Sequence, residues 1–332
     1  MTGATGQDGS YLSELLLGKG YEVHATTRHP GSVAARRLTE LIAHSPHAAG
    51  RFRLHCLDLT EPEAVYNLMA VVLPDEVYNL GAQSHVGRSF ELSFETLDTN
   101  ARGTLSVLEG ARRLSDELPV RLYQASSSEM FGAPREFPQT EQTPFRPRNP
   151  YACSKVYGFH LAVCFRDAYQ VFVCNGILYN HESPRRPAHY VTRKVTRAAA
   201  RIAAGLEREV VLGNLDGGRD WGYAPEYVEA MWRMLQQPQP GDYVIATNQW
   251  HSLPHLLELA FSQVNLNWKD HVRTDPRLTR PAEAGRLQGD YSKARAELGW
   301  RPQTDFTSLI RLMVDSDSEQ AALEAASEIK RS

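Results

Sequence analysis

The sequence predicts an α/β fold: a doubly wound parallel sheet followed by a smaller C-terminal lobe. Three observations predict it. Glycines stand at positions 3, 6 and 9, directly before an amphipathic stretch at 11–17 and an apolar, β-prone run at 21–27. Strand-like and helix-like runs then alternate to about residue 180, the pattern of parallel βαβ units. Past residue 184 the alternation loosens and arginines accumulate.

The opening turn, Gly3, Thr5, Gly6, Gln7, Asp8 and Gly9, leads straight into a helix. Glycine, helix and strand in that order form the phosphate-binding half of a Rossmann-type dinucleotide fold. The glycines permit a tight turn and close approach of backbone to a pyrophosphate, which sits at the helix N-terminus. The spacing G-x-x-G-x-x-G is the form found in short-chain dehydrogenases. Such a turn is expected to follow a central strand, yet Met1 alone precedes Thr2. Either the start lies upstream, or the sheet is one strand short and loses stability. The residue closing the strand at 21–27 selects the cofactor, an acid for NAD and an arginine for the 2′-phosphate of NADP. Arg28 stands there, with Arg36 and Arg37 following, so NADP is expected.

The next strand, 54–59, ends in Asp58 and Leu59, placed to meet the adenine. A helix is expected over 61–72 and a strand over 75–80. After that strand, Leu80, Gly81, Ala82, Gln83 and Ser84 make the turn that approaches ribose and nicotinamide, because ligands bind beyond the carboxyl ends of parallel strands. A helix over 100–115 precedes a strand that ends at Ser127.

The chemistry concentrates at that strand end and in the segment Asn149-Pro150-Tyr151-Ala152-Cys153-Ser154-Lys155. Proline suits the first helical position, so a helix is expected to start at Asn149-Pro150 and run to about residue 169. Tyr151 and Lys155 then share a face. An ammonium beside a phenol favours the phenolate and lowers its pKa, which makes Tyr151 a candidate base. If the chain stays extended past Ser127, Ser127 and Glu129 also share a face. Hydroxyl, carboxylate, phenol and lysine would then line one site. A Y-x-x-x-K pair alone occurs by chance on many helices; the serine and acid that precede it give it weight.

A sixth strand, 172–179, ends in a polar turn, Asn180 to Arg186, with His181 and two arginines suited to phosphate. Thr192 to Ala204 reads as a basic helix with Arg193, Lys194 and Arg197. Residues 209–214 read as a strand, Arg219 to Gly222 as a turn, 225–235 as a helix, and 242–246 as a strand able to rejoin the main sheet. Arg280-Pro281-Ala282-Glu283 falls in a loop, and 316–332 reads as an exposed tail helix. The arginines after 184 point to a phosphate-bearing substrate such as a nucleotide diphosphate. The expected division is residues 1–180 as the NADP-binding domain, with about 215–247 rejoining it, and 181–332 mostly as the substrate-binding lobe.

The chain has 332 residues, 36 basic against 39 acidic, for a net charge of −3. That balance argues against a nucleic-acid partner. No apolar run approaches the roughly 18 residues of a membrane span, and no signal peptide is evident. Cys56, Cys153, Cys164 and Cys174 lack metal or redox spacing and read as buried thiols of a reducing, cytoplasmic compartment.

Assembled, the segments TGATGQDGSYL, YNLGAQSHV, QASSSEMFG, PRNPYACSK, NGILYNHESPRR, LGNLDGGRDWGYAPEYVEAMW and LQGD resemble the GDP-mannose 4,6-dehydratases, within the extended short-chain dehydrogenase/reductases. The resemblance implies GDP-mannose as substrate and NADP as a recycled cofactor. Tyr151 would take the C4 hydroxyl proton, Ser127 would hydrogen-bond the C4 oxygen, and Glu129 would remove the C5 proton and help expel the C6 hydroxyl. Lys155, His181 and Arg186 would meet NADP. Ser84, Asn180, Lys194, Arg219, Arg280 and Glu283 would hold the GDP-sugar. Homodimers or homotetramers are implied too. The family usually carries threonine where Ser127 stands, and serines after Arg28 where this chain has His29-Pro30-Gly31. The rivals are a 4-epimerase or a dTDP-glucose dehydratase on the same fold, and a non-catalytic NADP-binding protein. A 4-epimerase would not need Glu129.

Overall fold

The computed structural model describes residues 1–46, 48, 50–115, 118–278 and 285–329. Arg280 and Glu283 lie outside the described residues. In chain order, the first half holds α1 (Gln7–Gly18), β1 (Val23–Thr27), α2 (Val33–Ala43), β2 (Phe52–Cys56), α3 (Pro62–Val72), β3 (Glu76–Asn79), α4 (Ser93–Leu97), α5 (Gly103–Ser115), β4 (Arg121–Ser127), α6 (Pro150–Tyr169) and β5 (Phe172–Leu178). The second half holds β6 (Asn180–Glu182), α7 (Val191–Ala203), β7 (Val210–Leu212), β8 (Gly218–Tyr223), α8 (Ala224–Leu235), β9 (Asp242–Ile245), β10 (Trp250–Ser252), α9 (Leu253–Ser262), α10 (Trp268–His271), β11 (Val272–Thr274), α11 (Ser292–Leu298) and α12 (Phe306–Ile329).

Strands β3, β4, β5 and β9 form a parallel sheet in that order, so the segment at 242–246 does rejoin it. Strands β1 and β2 form a separate parallel pair. Residues 1 and 2 bridge the two. Thr2 donates its amide to Tyr78 O (2.9 Å), and Thr26 donates to Met1 O (3.0 Å). The seam that calls for a central strand is therefore occupied by two residues, with one parallel bridge from Thr2 to Asn79.

Helices cover both faces, as continuous apolar strands require. Leu12, Leu16 and Leu17 of α1 pack with Leu38 of α2 and with Met231 and Met234 of α8, over Ala25, Tyr78 and Tyr123. On the other face Val65 of α3, Val107 and Leu108 of α5 and Phe165 of α6 pack over Val77, Leu122 and Val173. A distinct core joins α7, α9 and α12 through Val195, Leu257, Phe261 and Ile310.

Four local expectations are corrected. Residues 219–222 are not a turn but part of β8, because β6 and β10 flank it and supply its hydrogen bonds. Asn180 to Glu182, expected as a polar turn, pair with Trp221 to Tyr223 as β6. The tail is neither separate nor wholly exposed. It continues α12, whose Asp317 and Ala321 are buried, because Asp317 pairs with Arg193 and Thr196 of α7. Of the four thiols only Cys174 is buried; Cys56, Cys153 and Cys164 are exposed, since they fall on solvent-facing positions.

Candidate active site

The end of β4 and the start of α6 meet where parallel strands open. Ser127, Glu129, Tyr151 and Lys155 are all buried there, none more than 9% exposed. The backbone does not stay extended past Ser127. Residues 128–130 form a 3₁₀ turn, started by Ser127 Oγ accepting the Glu129 amide at 3.2 Å. This turn, rather than strand alternation, sets the direction of Glu129. Asn149 has two roles that the sequence reading missed. Its Oδ1 accepts from the Ala152 amide (2.7 Å), capping α6, and its Nδ2 donates to Glu129 Oε2 (3.0 Å). The cap pattern S/T/D/N before proline was the available signal. From β8, Arg219 Nη2 lies 3.7 Å from Glu129 Oε1. One carboxylate is thus held from both sides.

Ser127 hydrogen-bonds the Tyr151 phenol. The phenol's pKa is nonetheless raised, chiefly by burial, with the Ser127 bond and the Arg186 charge pulling the other way. The expected effect of Lys155 is not what this geometry delivers. Its ammonium donates to Ala125 O (2.8 Å) and sits 5.9 Å from the Tyr151 ring centre. Burial lowers Lys155 to about 8. The Arg186 guanidinium also draws the phenol down; it pairs with Glu182 (3.2 Å) and lies 3.7 Å over the Tyr190 ring.

The glycine turn fits a dinucleotide. Gly3 has φ +66°, and a Cβ there would meet the Gly81 amide nitrogen at 2.8 Å, so the turns at 3–9 and 80–84 touch. A Cβ at Gly9 would meet Ala4 Cα at 2.5 Å. At Gly6 a Cβ would meet one atom, Gly3 O at 3.4 Å, and no side chain caps α1 there. The first turn's amides therefore face an open side, as an anion requires. Thr2 Oγ1 accepts the amides of Leu80 (3.0 Å) and Gly81 (2.9 Å), fixing that loop. Asn100 holds Gln83 through the amide (2.8 Å) and carbonyl (3.1 Å), and reaches Ser154 (3.0 Å). Ala82 and Thr5 are half-buried in the same two turns, and Leu59 packs beneath Gly81. Asp58 accepts from the Thr60 amide (2.9 Å), and its carboxyl is lowered by that bond foremost and by Arg28 among others. Arg28 itself is 3.8 Å from Glu95.

His181 ties this turn to the second lobe. Its Nδ1 faces Tyr179 O (2.7 Å) and its Nε2 faces Asp8 Oδ2 (2.8 Å). Burial alone would lower this imidazole, but Asp8 outweighs it and the pKa is raised. Gln7 adds bonds to His181 O (3.0 Å) and Ser183 Oγ (2.8 Å). Among the candidate substrate residues, Ser84 is exposed and bonds Tyr190, Asn180 opens β6, and Lys194 is turned to Val211 O (2.6 Å).

A model of the family described as GDP-mannose 4,6 dehydratase matches residues 1–313. The chain belongs to the GDP-mannose 4,6-dehydratase family. Members of this family named GDP-mannose 4,6 dehydratase 2 from Arabidopsis thaliana and GDP-mannose 4,6 dehydratase from Homo sapiens are 50% and 45% identical to it. They align over 98% and 96% of this chain and 87% and 91% of their own. Among solved structures, RMD from Pseudomonas aeruginosa complexed with NADPH superposes with a TM-score of 0.74 at 25% identity, over 90% of this chain and 99% of its own. A UDP-glucose 4-epimerase from Thermotoga maritima with UDP-glucose gives 0.83 at 19% identity, over 97% and 98%, and shares the fold. No helix among the described residues is long and apolar enough to cross a membrane.

Proposed function

We propose that the chain is a lyase that converts GDP-mannose to GDP-4-keto-6-deoxy-mannose with NADP. The observation that carries the reading is the buried carboxylate of Glu129, anchored by Asn149 at 3.0 Å beside the Ser127–Tyr151 hydroxyl pair. Proton transfer to and from a carbon needs such a positioned carboxylate; simple alcohol oxidation does not.

In this reading Tyr151 takes the C4 hydroxyl proton while Ser127 holds the C4 oxygen. The C4 ketone acidifies the C5 hydrogen. Glu129 removes that proton and gives it to the departing C6 hydroxyl, which leaves as water; C6 then gains a hydride and C5 a proton, which balances the one Tyr151 took from the C4 hydroxyl. When bound, the nicotinamide supplies reversible hydride transfer, so redox state is restored each turnover. Lys155 and Arg186 supply positive charge at the phenol's side of the pocket. The cofactor's phosphates fit at Gly3, Gly6 and Gly9 with Thr5, Gln7 and Asp8. Leu80 to Ser84, Asp58, Leu59 and His181 line the rest of the groove. Arg28 at the end of β1 supports NADP over NAD. Ser84, Asn180, Lys194 and Arg219 are assigned to the GDP-sugar. The division of labour we propose is a cofactor domain at 1–180, joined by about 215–247, and a substrate lobe in the remainder. A homodimer or homotetramer is the proposed assembly, supported by exposed Phe94, Leu97 and Tyr157 on neighbouring helices.

The test is incubation with GDP-mannose and NADP, read by mass spectrometry and absorbance at the reduced-nicotinamide band. Loss of one water with no net NADPH is expected. Stoichiometric NADPH would indicate a plain dehydrogenase, and an unchanged mass would rule out the lyase.

A further inference from the structure

One side chain joins the second lobe to the turn at 80–84 on the cofactor side. Tyr190 is the N-cap residue of α7, so its backbone is fixed by the helix start, and its carbonyl accepts from Lys194 (2.8 Å). Its phenol oxygen lies 3.0 Å from Ser84 Oγ, across 106 residues of chain. The ring is packed on several sides: Arg186 lies 3.7 Å from its centre, and His189 and His85 pack at 4.5 and 5.8 Å. Arg186 over the ring and Ser84 at the end of the turn at 80–84 place the Tyr190 phenol at the edge of the site described above.

A hydroxyl pair with an exposed member adds little to stability, because water competes for both groups. Its chemistry suits another purpose. Two hydroxyls bring two donor protons, and the bond between them uses one. One O–H and several lone pairs remain, the complement of a sugar hydroxyl, which donates once and accepts.

We infer that Tyr190, paired with Ser84, is a specificity-determining residue that grips a hydroxyl of the hexose and gives no hold on the nucleotide. This rests on the reading of the pocket as a nucleotide-sugar site. Arg186 and the two histidines fix the ring, so the phenol meets the sugar with its rotamer already chosen.

The test compares wild type, Tyr190→Phe, Ser84→Ala and the double variant, with NADP present throughout. Dissociation constants are measured for GDP-mannose and for GDP, alongside steady-state KM and kcat. Each single variant is expected to weaken GDP-mannose about three- to tenfold, the range of one lost neutral hydrogen bond, while GDP binding stays within twofold. The double variant should be no weaker than the product of the singles, since the two hydroxyls act as a unit. Equal weakening of GDP and GDP-mannose, or a fall in thermal midpoint without any change in KM, would show a structural tie and overturn the inference. Unchanged affinity in Tyr190→Phe would also overturn it. If wild type itself fails to bind or convert GDP-mannose, the lyase reading fails first, and that outcome is distinct from the others.

Discussion

Replacing Asp8 by asparagine removes one partner of the pair that joins α1 to β6. The Asp8 and His181 side chains keep 24% and 10% of their surface in water, so the pair is largely desolvated. Removing one member of a buried pair costs about 3–5 kcal/mol, and the quarter-exposed acid puts this case near about 3 kcal/mol. The loss depends on pH in a definite direction. His181 is raised in the folded protein despite its burial, because Asp8 faces it and Tyr179 O accepts from its other nitrogen. Its contribution is therefore fully present below the unfolded value of about 6.5 and is lost as pH rises through the folded value. Asp8 itself is lowered: burial would raise it, but His181, Gln7 and Arg186 prevail. Its contribution is present above the unfolded value of about 3.9 and is lost as pH falls through the folded one. The window of full effect thus runs from roughly pH 4 to 6.5. In Asp8→Asn, burial and Arg186 act on His181 without the Asp8 charge, and its pKa should fall below its wild-type position. Urea unfolding of wild type and variant, without added dinucleotide, checks this. The stability gap should be about 3 kcal/mol at pH 5.5 and narrow to about 1.5 kcal/mol at pH 9, the low end for a hydrogen bond to a charged group, since Asp8 stays ionised. An equal gap at both pH values, or a variant as stable as wild type at pH 5.5, would refute the argument.

Other outcomes follow from the same geometry. Tyr151→Phe should lower kcat by a factor of about 10²–10⁴, the usual worth of a positioned proton-transfer group, with NADP affinity retained by fluorescence titration. Glu129→Gln should stop water loss by mass spectrometry while allowing enzyme-bound NADPH to form; water loss in this variant would assign the C5 proton to another base. In Gly9→Ala the new Cβ would sit 2.5 Å from Ala4 Cα and Gly3 O, both backbone atoms that cannot yield, so dinucleotide binding should be lost on calorimetric titration. Tyr227 is fully buried, with no hydrogen-bond partner for its hydroxyl among the described residues. Tyr227→Phe should therefore raise stability by about 1 kcal/mol or more, seen as a higher denaturation midpoint, and a lower midpoint would mean that the hydroxyl is satisfied.

The sequence by itself determined the parts list and its order. The glycine turn before an amphipathic run, the strand ending at Ser127 and the proline-started helix carrying Tyr151 and Lys155 are all set by local periodicity, capping and turn chemistry. Those signals act over a few residues, so they can be read one segment at a time. Tertiary structure decided which of those parts face each other. Arg219 to Gly222 became a strand because β6 and β10, distant in sequence, came to lie on either side. The tail became anchored at one buried residue because Asp317 found Arg193 across more than a hundred residues. Lys155 turned to the Ala125 carbonyl, 5.9 Å from the Tyr151 ring centre, and the phenol found its hydrogen bond in Ser127. Such choices depend on desolvation and on partners brought in from remote segments, and no local pattern encodes either one.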